Sequence, residues 1–179
     1  TERRYKVTVA CGPGGPLIGR LRRGKIDVRV LSDLARPIRP WKDGRAVWEI
    51  YSLIHDGPFD LIHSNSSKAG FLARVAGRAA AGRRHLFTAH GFVFQEDRSP
   101  ATRQAFLLLE KLAGTFTDRL ITVCDADREL ALQHRIIPCE RVITIHNGIL
   151  PSPPLPPNES RKQLALPSRI PVVGTVANM

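Results

Sequence analysis

The chain has 179 residues, 42% of them apolar, and a formal net charge of +11, which suits a globular α/β domain with a further piece attached. No apolar run reaches the roughly 18 residues of a membrane-spanning helix, and three widely spaced cysteines exclude a zinc or disulfide framework and indicate reduced thiols in the cytoplasm. The positive charge favours an anionic partner, whether nucleic acid, a membrane surface or a phosphorylated small molecule.

In chain order, the first half of the sequence alternates strand and helix patterns. Alternating β-branched residues predict strands, and apolar residues at helical spacing predict helices. The predicted elements are strand 6–11, a turn over 12–16, helix 17–23, strand 26–31, a loop over 36–43, helix 43–55, strand 60–63 and helix 68–81. Asp43 is expected to cap the second helix, Ser66 or Ser67 the third, and Gly82 to follow its end.

The second half continues the alternation. It contains strand 85–89, a helix that starts at Ser99-Pro100 and runs to 116, strand 119–123, a helix that Asp125 or Asp127 opens and that runs to 134, and strand 141–145. This order predicts a Rossmann-like domain over residues 1–150, with all six strands in one parallel sheet and helices on both faces.

A proline-rich segment follows this domain. Five prolines within 151–157 predict a stiff, extended connection, so we expect residues 151–169 to form a linker with a short helix over 159–164. The strand pattern at 171–176 stands alone, and a lone strand cannot bury its faces. We therefore expect residues 170–179 to begin a second domain whose remainder is missing.

Glycine and polar residues follow the strands at one edge of the predicted sheet. In an open parallel sheet, ligands bind beyond the carboxyl ends of the strands. The residues in question are Gly14 and Gly15, Asn65 to Lys68 within "HSNSSK", His90 with Gly91 and Phe92, the "CDAD" stretch, and Asn147 with Gly148. Glycines admit close backbone approach, and helix N-termini favour anions. Each loop alone could be an ordinary turn or cap, so the prediction of a ligand rim depends on their coincidence at one edge.

Four ordered segments carry a resemblance to a known family: "DLIHSNSSKAGFLARVAGR", "FTAHGFVFQE", "TDRLITVCDADREL" and "ERVITIHNGI". Together they resemble the N-terminal domain of family 4 (group 1) glycosyltransferases, which are retaining enzymes of the GT-B fold. The likeness extends over about residues 5 to 150 and is greatest to bacterial members that build capsule, exopolysaccharide or O-antigen. "PVVGTVANM" resembles the first strand of their C-terminal domain.

The resemblance implies a role for each rim residue. His90 matches a catalytic cleft histidine that contacts the donor sugar, with Gly91 and Phe92 in the same donor-sugar loop. Asn65, Ser66, Ser67 and Lys68 would bind the acceptor, and Lys68 could meet a phosphate of a lipid diphosphate. Gly14, Gly15, Asn147 and Gly148 would line the cleft rim. The donor substrate would be a nucleotide diphosphate sugar, with no cofactor and no metal expected.

The resemblance also implies partners and a location. The acceptor would be lipid-linked or a saccharide, and the charge suits a cytoplasmic domain that docks peripherally on the anionic inner face of the membrane. The missing C-terminal domain would act in cis, so the fragment alone is expected to be inactive.

Several features depart from the family pattern. No counterpart of the family's opening strand precedes Lys6, so the domain is expected to lack its first strand. Cys124 stands where a serine is usual, and Leu150 where an aspartate is common. Two alternatives stay open: a GT-B-like sugar-nucleotide epimerase, and a non-enzymatic basic nucleic-acid-binding module. Nucleic acid is not the expected partner, because the basic residues lack interleaved aromatics.

Overall fold

The computed structural model describes residues 5–80, 83–148, 153–167 and 170–174. The chain divides into two units, Thr1–Asn147 and Gly148–Met179. Gly82, the predicted helix-ending glycine, lies outside the described residues.

The first unit alternates strands and helices as the sequence predicts. Its strands are β1 (Thr8–Cys11), β2 (Asp27–Val30), β3 (Leu61–Asn65), β4 (Arg84–Ala89), β5 (Arg119–Thr122) and β6 (Val142–Thr144). Its α-helices are α1 (Pro16–Arg23), α2 (Pro40–Asp56), α3 (Ser67–Ala79), α4 (Pro100–Thr115) and α5 (Asp125–Gln133). Two single 3₁₀ turns, Val93–Gln95 and Cys139–Arg141, precede α4 and β6.

Every strand pairing is parallel, but the expectation of one continuous sheet is wrong. β1 pairs with β2 in one sheet, and β3, β4, β5 and β6 form a second sheet in that order. Within the described residues, β1 and β3 each have a strand partner on one side only. Val7 and Leu61 beside these edges are about half exposed.

Helices α2 and α3 pack together and share a core with both sheets. Leu31 at the end of β2 contacts the same cluster as Ile50 and Ile54 of α2 and Leu72 of α3, and Ile62 of β3 packs against it. A second core lies between β4, β5 and helices α4 and α5, around Phe87. The two sheets are therefore joined through one helical layer.

A buried ion pair between Arg74 and Glu110 links α3 to α4. The Arg74 guanidinium donates to the Glu110 carboxylate at 2.9 Å, and its Nε donates to the Gly70 carbonyl at 3.0 Å. The guanidinium also lies 3.9 Å from the centre of the Phe87 ring. Arg74 is 1% exposed, so its charge is satisfied almost entirely by the protein.

Three helix starts refine the sequence prediction. Ser99 caps α4 as expected, because its Oγ accepts the Thr102 amide at 3.3 Å. Helix α2 begins at Pro40 rather than at Asp43, since proline suits the first turn of a helix. Asp43 lies within that turn, where its carboxylate accepts the Arg39 backbone amide at 3.0 Å. Cys124, not an aspartate, occupies the N-cap position of α5.

The described part of the second unit contains a short helix, α6 (Pro157–Gln163), close to the predicted span. The predicted strand at 171–176 is absent from its described part, since residues 171–174 are not paired. A strand requires a neighbour for its backbone hydrogen bonds, and the described residues of this unit supply none.

Candidate functional site

The junction between β3 and α3 is built around an unusual backbone conformation at Ser66. Ser66 has φ 67° and ψ 150°, a region that is almost confined to glycine. Its side chain makes no capping hydrogen bond, so the expected serine cap is not formed by Ser66 in this structure. Its carbonyl accepts the first helical bond, from the Gly70 amide at 2.8 Å. Ser66 therefore turns the chain sharply and leaves its hydroxyl exposed.

Two other strand ends reach positive φ through glycine. Gly15, which precedes α1, has φ 78° and ψ 163°, almost the conformation of Ser66. Gly91 has φ 107°, and a β-carbon on Gly15 or on Gly91 would meet no other atom within 4 Å. Both glycines are therefore required by backbone conformation rather than by crowding. Gly14, with φ 91°, belongs to the same turn as Gly15.

Strand register brings the His90 loop beside the Ser66 junction. Asn65 pairs with Thr88 at the carboxyl ends of β3 and β4, so Ser66 and His90 follow at the same edge of the sheet. Asn65, Ser66 and His90 are all exposed. The structure thus groups the predicted donor-side and acceptor-side residues on neighbouring strands.

Lys68 is engaged by the protein itself. Its ammonium lies 2.5 Å from Asp43 Oδ1, donates to the Ala35 carbonyl at 2.8 Å and also contacts the Pro37 carbonyl. The closeness of the charged groups identifies an ion pair. Lys68 consequently fastens the loop before α2 to the start of α3, and a phosphate would have to compete with Asp43 for it.

Phe92 does not lie open to a ligand. It is buried in the α4–α5 core and stacks on Phe94, with ring centres 5.1 Å apart. Phe92 therefore anchors the segment after His90 and Gly91 to the core. Asn147 and Gly148 follow β6 and are exposed.

Two histidine contacts between β3 and β4 were not singled out from the sequence. His63 Nε2 lies 2.8 Å from Thr88 Oγ1, on the sheet face that also carries Asn65. On the opposite face, His85 Nε2 lies 2.9 Å from Ser64 Oγ in the core. Burial and, to a smaller extent, the nearby Arg74 guanidinium together lower the pKa of His85 to about 4. The two-residue period of strand β3 is the signal that separates these faces.

A groove of about 760 Å³ lies elsewhere on the molecule. Gly114 and Thr115, which precede β5, line it together with Arg135 and Pro138, which precede β6. It therefore opens at the amino edge of these strands, opposite the predicted rim. In the described ranges, no group of three potential metal-ligating side chains occurs, and no helix is long and apolar enough to cross a membrane.

Parallel strands that share packed helices, with polar residues at the carboxyl ends of β3 and β4, define an α/β fold of the Rossmann-like kind. The model of the glycosyl transferase 4-like domain matches residues 1–148, so the chain belongs to this family. The predicted resemblance to the N-terminal domain of a GT-B glycosyltransferase is thereby confirmed.

Curated relatives agree with the family assignment. The chain is 28% identical over 145 residues to the Escherichia coli UDP-Gal:alpha-D-GlcNAc-diphosphoundecaprenol alpha-1,3-galactosyltransferase, covering 81% of this chain and 37% of that protein. It is 34% identical over 83 residues to the putative glycosyltransferase EpsD of Bacillus subtilis (strain 168), covering 44% and 21%. The chain thus spans less than two fifths of the length of either relative.

Solved structures share the fold. The Anabaena HepE protein in complex with UDP and glucose superposes with a TM-score of 0.65 at 23% identity, covering 88% of this chain and 42% of that one. A sucrose-phosphate synthase from Thermosynechococcus elongatus gives a TM-score of 0.59 at 19% identity, covering 80% and 38%.

Proposed function

We propose that this chain is the acceptor-side part of a retaining glycosyltransferase. The enzyme would move a sugar from a nucleotide diphosphate sugar to a lipid-linked or saccharide acceptor during cell-surface polysaccharide synthesis. The observation that carries the proposal is the family match over residues 1–148, combined with the clustering of Asn65, Ser66 and His90 at one sheet edge.

The names of similar proteins support the choice of substrates. The Escherichia coli relative is named for transfer of galactose to a diphosphoundecaprenol-linked sugar, and the Anabaena structure contains UDP and glucose. A lipid-linked acceptor would require the enzyme to work at a membrane, which agrees with the charge of +11. The proposal therefore includes peripheral association with the cytoplasmic membrane.

The proposed division of labour follows exposure at the rim. Asn65 and Ser66 would contact the acceptor, because both are exposed beside the His90 loop, while Lys68 holds the loop before α2 in place. His90 would hydrogen-bond the donor sugar. In retaining transfer the bond from the sugar to the nucleotide diphosphate lengthens first, and positive charge develops at the sugar carbon. A contact that fixes the sugar during this step raises kcat more than it tightens ground-state binding.

The test is steady-state kinetics of the full-length gene product with and without His90→Ala. UDP-sugars would be the donors and a diphosphoundecaprenol-linked sugar the acceptor. We expect kcat to fall on the order of 10²-fold, comparable to deletion of one positioned transition-state contact, while KM for the donor changes little. The melting temperature should stay unchanged because His90 is exposed. Near-normal kcat in the variant would contradict the assigned role.

Two further readouts separate the proposal from its alternatives. Product formation should persist in excess EDTA, since no metal is expected in the chemistry. Interconversion of the UDP-sugar without any acceptor would identify an epimerase instead. Salt-sensitive binding of nucleic acid in the absence of transfer would favour the basic binding module.

A further inference from the structure

The outward face of helix α2 carries two exposed tryptophans. Trp41 and Trp48 are 83% and 67% exposed. They lie seven residues apart, so they occupy the same side of the helix about 10 Å from each other. Ala46, Ile50 and Ile54 occupy the opposite side and are buried in the core. The core therefore accounts for one face of α2. Trp48 stacks on Tyr51 with ring centres 5.4 Å apart, but both indoles remain largely exposed.

Basic side chains surround these tryptophans. Arg36 and Arg39 are exposed in the loop before α2, next to Ile38, which is 64% exposed. Lys42 and Arg45 lie on the first turns of α2, with side chains 49% and 68% exposed. We call these four basic residues, with Ile38, Trp41 and Trp48, the Trp–Arg surface.

Each acidic group of this region is engaged by a neighbouring group. Asp33 is buried and lies 3.0 Å from the Arg45 guanidinium and 3.9 Å from the Lys42 ammonium, and the partly buried Asp43 is paired with Lys68. Glu49 accepts hydrogen bonds from the hydroxyl and amide of Ser32. The carboxylates are thus engaged within the protein, and the most exposed groups of this region are the basic side chains and the two indoles.

We propose that the Trp–Arg surface is the site at which this protein docks on an anionic lipid bilayer. Indole rings favour the headgroup region, where one side of the ring contacts apolar chains and the N–H remains solvated. Arginine and lysine beside them are attracted to anionic headgroups, and the two effects reinforce each other. This inference deepens the proposed function, because a lipid-linked acceptor is presented at such a surface.

Charge complementarity selects the lipid surface over a protein partner. Tryptophan and arginine are also enriched at protein interfaces, but the core of such an interface is depleted of charged residues, whereas exposed Arg39 and Lys42 flank Trp41 on both sides here. Here Asp33 is buried and the Asp43 carboxylate, whose side chain is 13% exposed, is paired with Lys68, so the exposed side chains of the Trp–Arg surface are basic or apolar. A uniformly anionic bilayer matches that arrangement directly.

The test is co-sedimentation of the purified protein with vesicles. Vesicles of phosphatidylglycerol and phosphatidylcholine in equal parts should bind it at least about 10-fold more strongly than pure phosphatidylcholine. The double variant Trp41→Ala/Trp48→Ala should weaken binding on the order of 10-fold or more, and Arg36→Gln/Arg39→Gln about 10-fold, the latter most clearly at low salt. All four residues are exposed, so circular dichroism should show an unchanged fold.

Two control variants remove side chains of the same kind, apolar in one and basic in the other, from parts of the molecule outside the Trp–Arg surface. Leu108→Ala/Leu112→Ala deletes two exposed leucines of α4, and Arg128→Gln/Arg141→Gln deletes two positive charges near α5 and β6. Both control pairs should bind anionic vesicles as the unaltered protein does. Equal losses in the control and test pairs would show that the effect is not localised, and would overturn the proposal.

Other outcomes are equally decisive. If the unaltered protein does not bind vesicles, the proposal is overturned. If, in addition, the protein self-associates and the tryptophan variants do not, the Trp–Arg surface binds a second copy of the chain instead. Vesicle binding does not depend on sugar transfer. If every transferase assay fails but the protein still binds vesicles, the proposed function is rejected and the docking proposal stands. If the tryptophan variants lose activity on a lipid-linked acceptor but keep activity on a soluble saccharide, both the proposed function and the docking proposal are supported.

Discussion

At the scale of single residues, Ser66 holds the most unusual position in the rim. Its backbone conformation costs a residue with a β-carbon on the order of 1–3 kcal/mol, and its exposed side chain makes no capping bond that would offset this. Gly15 has nearly the same angles at the start of α1 and shows the residue type that this geometry suits. Strain kept at a strand-to-helix junction agrees with a functional use of the Ser66 hydroxyl.

We expect Ser66→Gly to raise the free energy of unfolding by about 1 kcal/mol, because relief of backbone strain exceeds the added entropy of glycine in the unfolded chain. Chemical denaturation measures the difference. Ser67→Gly is the matched control, since Ser67 is already helical and its replacement should cost about 0.5–1 kcal/mol. Equal effects of the two substitutions would contradict the assignment of strain to Ser66.

The sequence predicted the rim positions better than their contacts. Order along a parallel sheet was enough to bring Asn65 and His90 together, because carboxyl strand ends share an edge. The partners of Lys68 and the burial of Phe92 depend on tertiary packing, which local patterns do not encode. A hydrophobic residue after His90-Gly91 could equally have faced a ligand or the core.

At the scale of elements, the Arg74–Glu110 pair ties α3 to α4. Arg74 is the residue that sequence patterning would place on the solvent side of α3, since arginine is rarely buried. The Gly70 carbonyl, the Glu110 carboxylate and the face of Phe87 together replace its water shell. The helix spans were predictable mainly from apolar spacing, and the start of α4 also from the Ser99 cap, whereas this pairing required knowledge of which helices become neighbours.

Removal of one partner of this pair should be far more costly than removal of both. Glu110→Leu leaves an uncompensated buried guanidinium, and we expect a loss of about 3–5 kcal/mol in the free energy of unfolding. The double variant Arg74→Met/Glu110→Leu should recover most of that loss, because apolar groups of similar volume fill the site. A double-mutant cycle from urea denaturation gives the coupling energy, and additive losses would contradict a direct pair.

At the scale of the whole molecule, the division into two sheets is the main difference from the sequence prediction. Strand patterns report burial and alternation, but they do not report whether adjacent strands touch. The shared α2–α3 layer keeps the two sheets in one unit even though β1 and β3 have no described pairing with each other. Core packing through helices, rather than sheet continuity, therefore holds the first unit together.

The acid stability of the molecule should depend on His85, which is 2% exposed and contacts Ser64 Oγ. Burial, and then the positive charge of Arg74, lower its pKa from 6.5 to about 4, and its buried Nδ1 has no partner among the described residues. Between pH 4 and pH 6.5 the imidazole of His85 binds a proton in the unfolded chain but not in the folded chain. The free energy of unfolding should therefore fall as pH decreases from 6.5, by about 3 kcal/mol in total, and level off below pH 4.

His85→Gln should remove this part of the pH dependence, since the glutamine amide can still reach Ser64 Oγ and does not titrate. Urea denaturation from pH 7 to pH 4 gives the slope of the unfolding free energy against pH for the unaltered chain and for the variant. Subtracting one slope from the other removes the contribution of the carboxylates that both chains share. His146→Gln, at an exposed histidine, is the control and should retain the full slope. An NMR titration of the His85 ring gives an independent reading in the folded protein. A ring that gains its proton near pH 6.5, or a variant with an unchanged slope, would show that His85 does not set acid stability.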